Sequence, residues 1–402
     1  MKSLLFIIES LNIGGAEKSL ISLLHNIDYS LYNVSLIVLS ENNSLINQIP
    51  KEVQLLSVPD IIKKLNRSFF SRHINLILLM KRLLFSLRIR INNKDKSIGD
   101  YLYWKTFGKF FIKLEKRYDA VIGWGQGIPL LYAVEKVEAT YKIGWINAEF
   151  PVPQNIYSFY DVYFSKLDHI VAVSDILARK IISIFPNANK KTKVIYDIID
   201  YNSIINLSKE EMSFSFPKQN FIIVTIARLD KRKGLHLALE AAKLLKDSRN
   251  FRWYLIGNGP EKKIITNKIK EYALENYFIL LNEVVNPYPY LKNADLYVQT
   301  SLTEGFCIAL TEAKMFNLPI ITTDFPTAFM QIRNGVNGII VDKKPELIKN
   351  KIMFLMDDKE LRQKFTNSLS KEKKGNKEEI KKLYSLIKPH DGTACQCNNT
   401  GL

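Results

Sequence analysis

Cysteine is scarce in this sequence. Three cysteines occur in 402 residues, and two of them, Cys395 and Cys397, lie close together near the C-terminal end. So few cysteines cannot form the disulfide framework typical of small secreted domains, and a reducing, cytoplasmic setting is therefore expected. A single Cys-x-Cys pair also falls short of the four ligands of a structural zinc site, so no metal site is predicted.

Long apolar runs are also missing. The apolar run that begins the chain stops at Glu9, which is too early for a signal peptide. No stretch of about 18 uninterrupted apolar residues follows, so no transmembrane helix is expected. With 47% hydrophobic and 24% charged residues, the composition is typical of globular proteins, and 402 residues suffice for two or three domains.

Acidic residues are outnumbered by basic ones, and the imbalance is local. The net charge is +17, and residues 60–118 contain 15 lysines and arginines against 4 aspartates and glutamates. A surface of this kind attracts polyanions, either anionic lipid or nucleic acid. Because no recognition helix, RNA-binding motif or zinc-finger pattern is present, no nucleic-acid partner is predicted.

A basic amphipathic helix is predicted within this region, over residues 74–91. Helical spacing gathers Leu76, Met80, Leu83, Leu84, Leu87 and Ile91 on one face, with Lys81, Arg82, Arg88 and Arg90 opposite it or beside it. An aromatic-rich, basic segment follows at residues 102–113. This pattern predicts contact with an anionic membrane through those four cations. The alternative is that the apolar face packs on the domain and the cations are solvated.

Short apolar strands alternate with helical patterns in two series. The first series covers strands at residues 3–8, 34–39, 53–58, 120–123, 141–147, 169–173 and 193–195. A polar stretch at 202–217 interrupts the pattern, and a second series covers strands at residues 221–226, 253–256, 278–281, 296–299 and 319–322. Such alternation is typical of doubly wound parallel sheets. We therefore predict an α/β fold with Rossmann-like domains at 1–200 and 201–388, followed by a disordered tail at 389–402.

The first strand leads into a glycine turn and then a helix. Gly14 and Gly15 would let the backbone approach a phosphate or a sugar closely. Only two adjacent glycines are present, so the G-x-G-x-x-G pattern of dinucleotide-binding domains is incomplete. This weighs against a nicotinamide-dependent oxidoreductase, which stays open as an alternative.

The second series carries the residues best suited to chemistry. Arg228 and Lys233 flank a loop at the carboxyl end of a strand, where two cations would neutralise a diphosphate as it leaves. A later strand runs into Glu304 and Gly305, before a helix expected to start near Phe306. The unpaired N–H groups of that helix would also suit an anion. Glu312 follows Glu304 by eight residues, so the two carboxylates could hold different hydroxylated parts of one extended ligand.

These motifs together resemble the retaining GT-B glycosyltransferases of family GT4, the glycosyl transferases group 1. The matching segments are Ala227-Arg228-Leu229 with Lys233-Gly234, Gly257-Asn258-Gly259-Pro260, Ser301, Glu304-Gly305-Phe306 and Glu312-Ala313. Asn12-Ile13-Gly14-Gly15-Ala16-Glu17 is similar to the first glycine loop of that family. The resemblance implies two Rossmann-like domains that face a central cleft, with a nucleotide-sugar donor on the C-terminal domain.

The resemblance also implies a role for each candidate residue. Glu312 would bind the ribose, Glu304 the hydroxyls of the donor sugar, and Arg228 and Lys233 the diphosphate, which Gly14 and Gly15 would approach from the other domain. The remaining donor-binding candidates are Asn147, Asn258, Val284 near the nucleobase, Gly305, Phe306, Cys307 and Ile308. The last helix would cross back onto the first domain. No metal and no cofactor besides the donor are expected.

Two departures from the family pattern stand out. Asn147 occupies a place where the family often has a histidine, and an amide can bind a sugar hydroxyl but cannot act as a general base. The segment Tyr196-Asp197-Ile198 lacks the usual asparagine–proline pair. Transfer with retention is generally thought to use the leaving diphosphate as the base, so the first departure is compatible with activity.

The resulting hypothesis is a metal-independent, retaining hexosyltransferase. It would move a sugar from a nucleotide diphosphate, UDP being the expected nucleotide, to a lipid-linked saccharide during synthesis of a capsule or O-antigen. It would act in the cytoplasm, peripherally at the inner face of the cell membrane. The alternatives are a GT-B nucleotide-sugar epimerase or hydrolase, and a non-catalytic nucleotide-sugar-binding protein.

Overall fold

The computed structural model describes residues 1–41, 43–66, 76–92 and 96–387, and it contains two parallel β-sheets. The predicted tail at 389–402 and the first residues of the predicted basic helix lie outside these ranges. The first sheet is built from β1 (Lys2–Ile8), β2 (Tyr32–Val38), β3 (Gln54–Leu56), β4 (Tyr118–Trp124), β5 (Ala139–Ile146), β6 (His169–Ala172) and β7 (Thr192–Val194). All of its strand pairs are parallel.

The order of the first sheet, β3-β2-β1-β4-β5-β6-β7, reverses at β1. Ligands of open α/β sheets bind outside the carboxyl ends of the strands at such a reversal. β1 ends at Ile8, and its connection to the next helix contains Gly14. The topology therefore places the glycine turn where a ligand is expected.

Helices surround this sheet. They are α1 (Gly15–His25), α2 (Asp60–Asn66), α3 (Leu76–Asn92), α4 (Lys96–Phe107), α5 (Ile128–Lys136), α6 (Gln154–Ser165) and α7 (Asp175–Ile184). Five consecutive residues of β1, from Leu4 to Ile8, are at most 3% exposed. Consecutive side chains of a strand point to opposite faces, so β1 is covered on both faces, as doubly wound sheets require.

The second sheet has the same kind of topology. It is built from β8 (Phe221–Ile226), β9 (Phe251–Ile256), β10 (Phe278–Asn282), β11 (Leu296–Gln299), β12 (Ile320–Thr323) and β13 (Ile339–Val341), in the order β10-β9-β8-β11-β12-β13. Its helices are α8 (Tyr201–Leu207), α9 (Leu235–Leu245), α10 (Lys262–Glu271), α11 (Tyr288–Lys292), α12 (Ile308–Met315), α13 (Ala328–Gln331), α14 (Pro345–Asp357) and α15 (Lys359–Ser370). The reversal lies at β8, directly before Arg228. The predicted α/β class with two Rossmann-like sheets is confirmed.

We call β1–β7 with α1–α7 the first lobe, and β8–β13 with α8–α15 the second lobe. The chain passes between them after Val194 and enters β8 at Phe221. The predicted boundary at residue 200 falls inside this connection and stays a prediction. Part of the polar stretch that follows is helical, because the Asp200 side chain caps α8 by accepting a hydrogen bond from the Ser203 N–H at 3.2 Å.

The last described helix, α16 (Ile380–Leu386), packs on the first lobe although it follows the second in sequence. Its Leu383 is fully buried in the core of the first lobe. The Tyr384 ring stacks on Tyr32 with ring centroids 4.8 Å apart, and the Lys2 ammonium donates to the Ile387 carbonyl at 2.5 Å. The chain therefore crosses between the lobes twice.

One face of α3 is left uncovered. Six apolar side chains, which we call the α3 stripe, are between 51% and 70% exposed: Leu76, Ile77, Met80, Leu83, Leu84 and Leu87. The helix packs on its lobe through other residues, since Leu78 is buried and the Phe85 ring contacts Tyr103 and Phe107 at 5.8 and 5.4 Å. The alternative in which the stripe packs on the domain is therefore wrong.

The cations of α3 do not all lie beside the stripe. Arg88 and Arg90 are exposed and, by helical spacing, flank the stripe on its two sides. Arg82 is partly buried and lies opposite the stripe, as predicted, on the packed face with Leu78 and Phe85, and its membrane contact stays a prediction. Lys81 lies over the Phe110 ring at 5.6 Å. Within the described ranges no helix is long and apolar enough to cross a bilayer.

Candidate active site

A lysine–glutamate pair forms the centre of the candidate site. Lys233 follows β8 and Glu304 follows β11, and the lysine Nζ lies 2.6 and 2.7 Å from the two carboxylate oxygens of Glu304. Both side chains are largely buried, at 19% and 9% exposure. Burial alone would lower the pKa of Lys233, but the charge of Glu304 and its hydrogen bonds outweigh this effect and raise it. The lysine is therefore held as a cation.

A chain of buried hydrogen bonds fixes Glu304. The Tyr297 hydroxyl donates to Gln299 at 2.5 Å, the Gln299 amide donates to Ser301 at 2.7 Å, and the Ser301 hydroxyl donates to Glu304 at 2.6 Å. All three donors are at most 1% exposed. Because every member has a partner, this network restricts the carboxylate to one position. Ser301 belongs to the motif found in the sequence, but its link to Glu304 was not predicted.

The helix that follows this turn begins later than expected. α12 starts at Ile308 and not near Phe306, because Cys307 has a φ of 70° and cannot continue a right-handed helix. No side chain caps this end, so its first N–H groups are available for an anion. Burial, and next the charge of Glu304, raise the pKa of the Cys307 thiol, which is therefore held neutral and unsuited to act as a nucleophile.

The two lobes come into contact at Gly305. A Cβ on this residue would lie 2.4 Å from the backbone carbonyl oxygen of Asn147 in the first lobe, so only glycine permits the approach. The Ser174 hydroxyl, also in the first lobe, donates to the Gly305 carbonyl at 2.9 Å. The side-chain oxygen of Asn147 is buried without a hydrogen-bond partner. It is an acceptor placed beside the cleft.

The glycine turn of the first lobe faces α12. Gly14 precedes α1 as its N-cap, and a Cβ on Gly15 would lie 3.6 Å from the Ile308 side chain. The N-terminal ends of α1 and α12 therefore approach each other from opposite lobes. Two helix ends of this polarity favour an anion between them.

Glu312 lies one turn into α12 and is 2% exposed. Its Oε1 accepts hydrogen bonds from the Lys18 ammonium at 2.8 Å and from the Tyr288 hydroxyl at 2.9 Å. Neither partner was predicted. The position of Lys18 one helical turn after Gly14 was the one feature of the sequence that could have marked it as a site residue. Tyr288 is separated from Glu312 by 24 residues and by β11, so no motif connects them.

The other predicted residues are less closely joined to this centre. The Arg228 side chain is 66% exposed, and its Nε lies 3.9 Å from Asp230. Asn258 is exposed and fixes its own turn, since its side chain accepts the Gly259 N–H at 2.9 Å. Val284 packs at the edge of the second-lobe core, and the Phe306 ring lies 5.8 Å from that of Tyr196. In the described part of the chain, no group of three or more potential metal ligands was found.

A family model matches this part of the chain. The model of the glycosyl transferases group 1 covers residues 208–372, which include Arg228, Lys233, Glu304 and Glu312. Outside this range lie the first lobe and α16. The match therefore contains the second-lobe half of the candidate site.

Curated relatives support the same assignment. An uncharacterized glycosyltransferase of Methanocaldococcus jannaschii is 26% identical over 56% of this chain and 64% of its own length. The capsular polysaccharide biosynthesis glycosyltransferase CapM of Staphylococcus aureus is 27% identical over 48% of this chain and 53% of its own. An N-acetylgalactosaminyltransferase of Campylobacter jejuni, named for a diphospho-undecaprenol substrate, is 27% identical over 51% and 55%. The chain thus aligns with less than two thirds of each relative.

Solved structures share the architecture over nearly the whole chain. Anabaena HepE, crystallised with UDP and glucose, has a TM-score of 0.69 at 17% identity and covers 96% of this chain and 98% of its own. S. aureus TarM, crystallised with UDP among other ligands, has a TM-score of 0.68 at 15% identity and covers 96% and 100%. At these identities the likeness shows the fold alone, which is GT-B. Residues 208–372 of this GT-B protein are thus similar to the glycosyl transferases group 1.

Proposed function

We propose that this protein is a retaining glycosyltransferase that moves a sugar from a nucleotide diphosphate to a lipid-linked saccharide without a metal ion. The observation that carries the proposal is the buried Lys233–Glu304 pair at the uncapped end of α12, opposite the glycine turn of α1. A cation, two helix ends and a carboxylate then surround one cleft. This combination suits a ligand that has an anionic diphosphate next to a hydroxylated ring.

The donor would extend along the second lobe. Its diphosphate would lie at the end of α12 between Lys233 and Gly15, and the exposed Arg228 side chain would close over it. Glu304 would accept hydrogen bonds from the sugar hydroxyls, and Glu312 from the ribose. The unpartnered side-chain oxygen of Asn147 supports a further sugar contact, because a buried acceptor is stabilised by a hydroxyl donor.

In the reaction, the bond between the anomeric carbon and the diphosphate oxygen breaks as the acceptor hydroxyl attacks from the same face. The hydroxyl proton passes to the departing phosphate oxygen, so no protein base is required. The negative charge that develops on the diphosphate is stabilised by Lys233 and by the end of α12. One preorganised contact of this kind is worth about 10²–10³ in kcat. A protein cation would thus take the role that a metal ion has in other transferases.

UDP is the nucleotide that we propose. Several neighbours with the same fold were crystallised with it, among them HepE with UDP-glucose. The partly buried Val284 follows β10 and would lie beside the base. The donor sugar is not specified by these contacts, since hydroxyl acceptors such as Glu304 bind many hexoses.

The α3 stripe would place the enzyme at the cytoplasmic face of a membrane, where lipid-linked acceptors are found. Burying one leucine-sized side chain contributes about 1.5–3 kcal/mol, and each cation near an anionic surface contributes about 1 kcal/mol. The free energy gained by burying six apolar side chains, together with the attraction of Arg88 and Arg90 to the surface, therefore exceeds the modest cost of orienting the protein. The substrate named for the Campylobacter jejuni relative is consistent with such an acceptor.

The proposal is tested by measuring UDP release from a panel of UDP-sugars, with and without a lipid extract of the source cell. Release that depends on the extract is expected for one or a few sugars. Glu304→Ala should abolish it while the circular dichroism spectrum stays unchanged. Turnover of Glu304→Ala at the wild-type rate would contradict the site.

The same panel separates the alternatives. An epimerase or hydrolase would convert or cleave the donor at full rate without any acceptor. A nucleotide-sugar sensor would bind UDP-sugar in calorimetry and show no turnover with any extract. A nicotinamide enzyme would bind NAD and leave UDP-sugars intact.

A further inference from the structure

An ion pair joins the two lobes. Lys18 belongs to the first turn of α1 in the first lobe, and Glu312 to α12 in the second, 294 positions later. Their side chains are 16% and 3% exposed, and Nζ lies 2.8 Å from Oε1. A pair shielded from solvent to this degree is screened little by salt.

The second lobe holds Lys18 through an aromatic ring as well. The Lys18 ammonium lies 5.2 Å from the centre of the Tyr288 ring, and the hydroxyl of the same tyrosine donates to the same oxygen of Glu312. Burial, and next the charge of Glu312, raise the pKa of Tyr288 well above its usual value, so its hydroxyl stays a donor. Lys18, Tyr288 and Glu312 therefore form one closed cluster built from both lobes.

Nearby contacts between the lobes involve neutral donors. The Thr303 hydroxyl donates to Glu149 at 2.7 Å, and the Ser174 hydroxyl donates to the Gly305 carbonyl at 2.9 Å. Neither of these contacts has a charge on both partners, whereas the Lys18–Glu312 contact is an ion pair. Loss of Lys18 would leave the buried Glu312 carboxylate with only the tyrosine hydroxyl. Removing one partner of a buried ion pair is strongly destabilising, because the other charge stays buried without compensation.

We propose that Lys18 is an interlobe latch, which holds the empty cleft closed by pairing with Glu312 and is released when a ribose takes over that carboxylate. Release is geometrically possible because Lys18 lies one helical turn from Gly15, where the diphosphate would lie. Lys18 then pairs with the diphosphate in place of the Glu312 carboxylate, and α1 stays close to α12. The closing role rests on the contacts described here, whereas release by ribose rests on the proposed function.

The closing role is tested without any nucleotide, by small-angle X-ray scattering of the full chain. A compact chain of this length has a radius of gyration of about 21 Å. Lys18→Met should give a larger radius than the wild type, because the ratio of open to closed molecules rises by about tenfold or more. Lys343→Met is the matched control, since the 2.8 Å pair of Lys343 with Asp324 lies wholly within the second lobe.

Swapping the two charged residues distinguishes loss of the ion pair from a general effect of removing the lysine. The double variant Lys18→Glu with Glu312→Lys should return to the wild-type radius, although it is not expected to turn over. Equal radii for the wild type and Lys18→Met would overturn the latch. A double variant that stays as open as Lys18→Met would overturn it too, since pairing would then not be the cause.

Release by nucleotide is tested by stopped-flow binding of UDP. Lys18→Met should associate with UDP at least about threefold faster than the wild type, because entry no longer waits for the cleft to open. A lysine that only helped to bind the donor would give an equal or lower association rate when removed, which would contradict the gate. If UDP does not bind the wild type at all, the proposed function fails, while the scattering result still decides whether Lys18 closes the cleft.

Discussion

Asp197 provides a sharp test of the energetics of the connection between the lobes. It lies three residues after β7 ends and is 5% exposed, and its Oδ1 accepts a hydrogen bond from the Ser19 hydroxyl at 2.6 Å. Burial raises the pKa of Asp197 from 3.8 to about 7, and the Ser19 hydrogen bond only partly opposes this. The folded protein thus favours the protonated acid.

The sign of the pH dependence follows from this difference. Between pH 4 and pH 7 the folded state keeps a proton on Asp197 that the unfolded state releases, so stability falls as pH rises through this range and levels off above it. A pKa difference of about 3, at about 1.4 kcal/mol per pKa unit, corresponds to about 4 kcal/mol at pH 8. Asp197→Asn removes the ionisation and keeps an acceptor for Ser19.

The assay is urea unfolding of the wild type and Asp197→Asn at pH 5 and pH 8. The stability advantage of the variant over the wild type should grow by about 2.5 kcal/mol between pH 5 and pH 8, because about 1.7 of the about 4 kcal/mol has already developed at pH 5. Asp119→Asn is a contrast, because the pKa of Asp119 is lowered, chiefly by the hydrogen bond from the Ser3 N–H. Its contribution to stability therefore rises with pH, opposite to that of Asp197. Equal pH dependence of the wild type and Asp197→Asn would refute the reasoning.

Two further predictions concern the membrane surface and a tight turn. Arg88→Gln with Arg90→Gln should weaken binding to anionic liposomes about 10- to 30-fold in a flotation assay, since each cation contributes about 1 kcal/mol; unchanged binding would argue against this surface. Gly234→Ala should lower the thermal midpoint by several degrees, because its φ is 56° and the new Cβ would lie 2.2 Å from the Thr300 carbonyl oxygen. Gly335→Ala, with a φ of 76° and no neighbour within 4 Å, should lower the thermal midpoint clearly less. Equal decreases for the two variants would show that the contact with Thr300 is unimportant.

The sequence was sufficient to predict both sheets, except for the edge strand β13, because buried parallel strands produce apolar runs at regular intervals. β8 and β11 have the bounds that were predicted, and most other strands differ by one or two residues. α8 was missed since it is only seven residues long, lies in a serine-rich polar stretch, and its cap, Asp200, is a single-residue signal. The late start of α12 depends on the left-handed conformation of Cys307, which no periodicity reveals.

Side-chain partners were predictable only where they share a motif. Lys233 and Glu304 were both selected, because each follows a strand of the same sheet at its carboxyl end. Lys18 was not, as its partner Glu312 belongs to the other lobe and the contact depends on how the lobes meet.

The α3 stripe shows a similar limit. Periodicity correctly gathered its leucines on one face, but only the structure shows that Leu78 and Phe85 pack on the lobe and leave that face exposed.

The central claim is that Lys233 stabilises a departing nucleotide diphosphate. The most direct measurement is kcat for UDP release by Lys233→Ala, with Lys231→Ala as the control, because Lys231 is an exposed lysine of the same loop. We predict that kcat falls at least about 100-fold for Lys233→Ala and less than about threefold for Lys231→Ala. Equal rates for the two variants would contradict the account.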